Sequence, residues 1–104
     1  MHADIANKRP ELAALCRRHA VARLEVFGSA ARGTDFDAAR SDADFLVTFN
    51  PAARNDLAVF LDFKAALEAL LGRAVDLVER EAVETSRNYI RRRRILAEAE
   101  TVCD

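Results

Sequence analysis

Asp42 and Asp44 stand two residues apart at the head of a segment, Asp42 to Phe49, that reads as a strand. On a strand, residues i and i+2 leave the same face, so the two carboxylates can chelate one or two cations together. Like charges this close repel. A magnesium ion prefers carboxylate oxygens and removes that penalty while bridging to phosphate oxygens. Upstream lies Val26-Phe27-Gly28-Ser29-Ala30-Ala31-Arg32-Gly33, with twelve residues between Ser29 and Asp42. Gly28 lets backbone approach phosphates, Ser29 offers a hydroxyl, and the amides opening a short helix add partial positive charge. Arg32, on that helix, comes within reach of a triphosphate. Asp76 sits in the apolar run Val75-Asp76-Leu77-Val78, where an unpaired buried carboxylate would be costly. From a neighbouring strand it can complete a metal site and accept the proton of an attacking hydroxyl. A Gly-Ser pair alone is an ordinary turn, and Asp-x-Asp alone is ordinary turn or capping chemistry. On three successive strands in this order they describe a site for a nucleoside triphosphate with its magnesium ions.

Positioning those groups requires a small α/β domain. Pro10 to about His19 has helical spacing at Leu12, Leu15 and Cys16, with Pro near the first turn. Residues 21 to 27 alternate as a strand that ends at Phe27-Gly28. Ser29 is placed to cap a short helix, Ala30 to Gly33, stopped by Gly33-Thr34-Asp35, with Phe36 to Ser41 as a loop. Asp56 to Leu71 is the clearest helix, with Gly72 at its stop, and Ala74 to Glu79 is a third strand. Thr85 or Ser86 is placed to cap a last helix through Asn88 to about Glu100, with Tyr89, Ile95 and Leu96 as its apolar stripe. The order predicts a small mixed sheet with helices mainly on one face, in a single domain spanning residues 1–104.

The 104 residues suffice for one core without cross-links. With 16 Lys and Arg against 17 Asp and Glu, a net charge of -1 gives no global field for nucleic acid or membrane. Met1 to Pro10 contains Asp4, Lys8 and Arg9 instead of a leader's apolar stretch, so the expected location is cytoplasmic. Cys16 and Cys103 match neither a metal-knuckle spacing nor a disulfide framework and read as reduced thiols.

The pattern Gly28-Ser29, Ala31-Arg32-Gly33, Ser41-Asp42-Ala43-Asp44 and Asp76 resembles the minimal nucleotidyltransferases, a branch of the DNA polymerase β-like superfamily. The resemblance covers nearly the whole chain, including the ending Asn88-Tyr89-Ile90-Arg91-Arg92-Arg93-Arg94-Ile95-Leu96-Ala97-Glu98. It implies the polymerase β-like nucleotidyltransferase fold, triphosphate binding at Gly28 and Ser29, magnesium binding, by two ions, at Asp42 and Asp44, and support of an attacking hydroxyl by Asp76. It further implies transfer of AMP from ATP with release of pyrophosphate. Many members are antitoxins that adenylylate a tyrosine of a HEPN-domain ribonuclease toxin, and this is the leading expectation. Two departures stand out: the stretch from Ser29 to Asp42 is longer than the family's usual spacing, and Ala43 replaces a larger aliphatic residue.

Two other functions fit the sequence. The chain could neutralise a partner by occlusion alone, or nucleotidylate a small molecule, although the latter lacks an acceptor-binding domain. Arg91, Arg92, Arg93 and Arg94 would point around most of a helix, so some meet solvent and others could meet an acidic partner. His2 and His19 have no ligand partner nearby in sequence. Phe45, Phe49, Phe60 and Phe63 follow core periods, and Tyr89 is expected to pack rather than to serve as a self-modified acceptor.

Overall fold

Leu24 and Val26 alternate with Arg23 and Glu25 to make β1 (Val21–Phe27), whose first set enters the core. It pairs antiparallel with β2 (Ala43–Phe49), where Ala43, Phe45, Val47 and Phe49 are all buried on one side. β2 pairs parallel with β3 (Val75–Glu79), a geometry that needs a crossover between them. The intervening α4 (Leu57–Leu71) supplies it. Asp56 starts this helix by accepting from the amides of Ala58 and Val59 at 3.0 and 3.2 Å, and Gly72, at φ 68°, ends it in the left-handed region. The computed structural model describes residues 1–32 and 42–104. The expected helix stop at Gly33-Thr34-Asp35 and loop at Phe36 to Ser41 lie outside the described residues.

The sheet order is β3-β2-β1-β4, where β4 (Glu100–Cys103) runs antiparallel to β1. The mixed sheet and the α/β class match the sequence expectation, and β4 is an addition to it. One sheet face carries the main core. Leu12 and Cys16 of α2 (Arg9–Arg18), together with Phe63 and Leu67 of α4, close over Leu24, Val26, Phe45 and Val47. The second face is smaller: Phe27 and Leu46 meet Val83 of α5 (Arg80–Glu84) and Ile95 of α6 (Tyr89–Glu98). The larger core thus lies under α2 and α4 on one face, while α5 and α6 wall the other. The described residues also include two short α-helices, α1 (Ala3–Ala6) and α3 (Gly28–Arg32), and a single 3-10 turn at Pro51–Ala53.

Several local expectations change. The cap of α6 is Asn88, whose Oδ1 accepts from the Arg91 amide at 3.1 Å, rather than Thr85 or Ser86, because α5 occupies the residues just before them. Tyr89 lies in the first turn of α6, beyond the reach of the core, and is 57% exposed. The short helix opens at Gly28 and includes Ser29 within it. Cys16 and Cys103 are joined as a disulfide, because the pairing of β4 with β1 carries Cys103 to the α2 side of the sheet. That neighbourhood is created by tertiary folding across 87 residues and has no counterpart in local spacing.

Candidate active site

Phe27, Asp44 and Asp76 lie on one register line across β1, β2 and β3. Adjacent strands are about 4.8 Å apart and in-register partners project to the same side. Asp44 and Asp76 thus stand side by side on the second face, where Asp76 is exposed between buried Val75 and Leu77. Asp42, also exposed, immediately precedes β2, two residues from Asp44. The parallel pairing of β2 with β3 places the entry ends of both strands beside the exit end of β1, and all three carboxylates gather there.

Gly28 takes the chain out of β1 at φ +66°, in the left-handed region. A Cβ at this position would lie 2.5 Å from Asp44 Oδ2. The glycine therefore does two things at once: it makes the turn into α3, and it leaves room for the carboxylate against the backbone.

Asp44 is only partly exposed, and its pKa is raised from the ordinary 3.8 to about 6. Burial is the main cause, followed by the charges of Asp76 and then Asp42, while Arg32 and Arg91 act in the opposite direction. The site thus contains a carboxylate destabilised by its neighbours, the situation a bound cation relieves. Its donors are all oxygen, which suits magnesium. Among the described residues, no three His, Cys, Asp or Glu side chains already close around a cation position.

A cleft of about 330 Å³ opens at this place. Gly28, Ser29, Asp44 and Asp76 line its sheet side, and Arg32, Arg91 and Arg94 line the helical side. Arg32 Nη1 donates to Glu98 Oε1 at 2.8 Å, joining α3 to α6, and Arg94 Nε lies 3.6 Å from the same oxygen. The other two arginines turn elsewhere: Arg92 donates to the Ser86 carbonyl at 3.0 Å and covers the Tyr89 ring, and Arg93 donates to the Tyr89 hydroxyl at 3.4 Å. A separate cavity of about 260 Å³, between Thr48, Arg54 and Glu79 at the far end of β2, contains none of the aspartates of the cleft. The structure thus brings Gly28, Ser29, Arg32, Asp44 and Asp76 together in one cleft. Glu98 also lines the cleft, although no local motif marks it as a site residue. The helical spacing of positions 91, 94, 95 and 98 is the signal that would have grouped it with the cleft arginines.

Residues 12–98 match the family model described as a nucleotidyltransferase domain. The chain belongs to that family. A solved structure to which a minimal-nucleotidyltransferase role has been ascribed is 36% identical, superposes with a TM-score of 0.69, and is matched over 90% of this chain and 88% of its own. A toxin–antitoxin structure with AMP-PNP has a TM-score of 0.58 at 20% identity, over 90% of this chain and 71% of its own. A mutant of the MntA-HpeT toxin–antitoxin has a TM-score of 0.57 at 16% identity, over 90% and 70% respectively. At these identities the two toxin–antitoxin structures share the fold. No curated protein matches the sequence. Among the described residues no helix is long and apolar enough to cross a membrane.

Proposed function

We propose that this nucleotidyltransferase-fold chain is the antitoxin of a HEPN/MNT pair, and that it transfers AMP from ATP to a tyrosine hydroxyl of its toxin. The observation that carries the reading is the in-register pair Asp44 and Asp76 beside a glycine whose missing side chain leaves space for the Asp44 carboxylate. The toxin–antitoxin structures with the same fold support the choice of partner. Asp42, Asp44 and Asp76 would hold two magnesium ions, which supply charge neutralisation for an in-line displacement at phosphorus.

In the proposed reaction, the tyrosine oxygen forms a bond to the α-phosphorus while the bond to the oxygen bridging to the β-phosphorus breaks. Pyrophosphate leaves with that electron pair, and the tyrosine proton passes to the Asp76 carboxylate. Gly28, Ser29 and Arg32 hold the triphosphate so that the line of attack is fixed before reaction, which is where most of the acceleration would arise. Partner contact falls to the outer side of α6, where Arg92 and Arg93 stand beside the exposed Tyr89 and Ile90, while Arg91 and Arg94 face the cleft.

The test is the intact mass of the toxin after incubation with this chain, ATP and magnesium, with Asp44→Asn as control. Addition of AMP only by the unaltered chain supports the reading. A stable complex with no mass change would replace it with neutralisation by occlusion.

A further inference from the structure

We propose that Arg91 and Arg94 form a polyphosphate-binding wall, holding the β- and γ-phosphates of a nucleoside triphosphate from the side of the cleft opposite the aspartates. The inference rests on the reading of this cleft as a nucleotide site, and it gives two of the four α6 arginines a role in substrate binding.

Three observations carry it. The run Arg91 to Arg94 is divided by the helix: Arg91 and Arg94 line the cleft with Asp44 and Asp76, whereas Arg92 and Arg93 are directed to Ser86 and Tyr89. Ile95, buried against the second sheet face, anchors the helix on the same side as Arg91 and Arg94 and fixes which way that side faces. Glu98, one turn beyond Arg94, pairs with Arg32 at 2.8 Å and with Arg94 at 3.6 Å, so α6 and the Gly28–Arg32 turn are held as one unit.

Electrostatics requires such a wall. A triphosphate brings several negative charges into a cleft that already holds Asp44 and Asp76, with Asp42 beside it. Cations on the carboxylates balance those residues and the phosphate oxygens they touch, and the remaining phosphate charge needs donors from another direction. Guanidinium groups fit that task because they stay ionised and present paired N–H donors to phosphate oxygens. Both side chains are exposed at the cleft, so they are accessible to a ligand.

Calorimetric titration with magnesium and AMP-PNP, repeated with AMP, tests the wall. Arg91→Ala and Arg94→Ala are each expected to weaken AMP-PNP binding by roughly tenfold and AMP binding far less, since charged hydrogen bonds to the outer phosphates are lost. Arg18→Ala removes the same charge from α2, on the other side of the sheet, and should leave both affinities unchanged. Arg91→Lys and Arg94→Lys keep charge and helix propensity and should lie between, so the comparison survives even if an alanine variant folds poorly. Unchanged AMP-PNP binding in both arginine variants would overturn the wall. Equal loss for AMP and AMP-PNP would do so too, because it would mean a general structural effect. Failure of the unaltered chain to bind AMP-PNP would overturn the nucleotide reading itself, and the wall with it.

Discussion

Asp44 faces opposite demands from folding and from ligand binding. Its pKa of about 6 in the folded chain exceeds the ordinary 3.8, so between those values the folded state holds a proton that the unfolded state releases. Metal-free stability should therefore fall as pH rises from about 4 through about 6 and level off above, with the sign opposite to that of a salt-bridged carboxylate. Denaturant titrations across this range would show the slope, and Asp44→Asn should flatten it and raise the neutral-pH midpoint while abolishing transfer. Magnesium affinity must run the other way, growing as Asp44 ionises, and a stabilising effect of magnesium near neutral pH should disappear in the variant. Gly28 is the second sensitive position. Gly28→Ala places a Cβ 2.5 Å from Asp44 Oδ2 on a backbone at φ +66°, so the carboxylate must shift and the turn is strained by about 1 kcal/mol or more. Magnesium titration of that variant should show weakened binding together with a lowered melting temperature, whereas a change in stability alone would separate the glycine from the site.

At the scale of elements, the legible parts of the sequence are those whose signals are local. The alternation in residues 21–27, the strand from Asp42 to Phe49 closed by Asn50-Pro51, Asp56 before an amphipathic run and Gly72 after it, and Asp76 between buried Val75 and Leu77 are each decided within a few residues. The three aspartates could be grouped because each lies on or beside a readable strand. What escaped depends on distant partners. β4 is four residues long and is a strand only because β1 offers an edge, and α5 follows β3 without a side-chain cap or a turn residue to announce it. The pairing of Glu25 with Arg80 belongs to the same class. Glu25 is 2% exposed on β1, and its two oxygens accept from Arg80 Nη1 at 2.7 and 2.6 Å, tying the start of α5 to the sheet face that carries the cleft. Arg80→Met would leave that carboxylate buried without its main partner and should cost about 3 kcal/mol. Adding Glu25→Gln should recover much of the loss in a denaturant titration, since the penalty comes from the stranded charge more than from the missing pair.

Across the whole molecule, the cleft spans β1, β2 and β3, while β4 closes the opposite edge of the sheet beside β1. The disulfide ties α2 to this edge and links residues 87 apart, nearly the length of the chain. Constraining so long a loop restricts the unfolded state strongly, and a cross-link of this kind contributes about 3 kcal/mol in typical cases. Reduction, or Cys103→Ser, should therefore lower the denaturation midpoint by an amount of that order, and thiol titration of the unreduced, unfolded chain should find no free cysteine. The cleft should respond unevenly. Asp44 and Asp76 are held by the β2–β3 ladder, remote from β4, so magnesium affinity should be retained. Arg94 and Glu98 lie on α6, which runs directly into β4 through Ala99. AMP-PNP affinity should consequently drop more than magnesium affinity on reduction. Equal retention of both would mean that Ile95 alone seats α6, with the edge strand contributing stability but no geometry to the site.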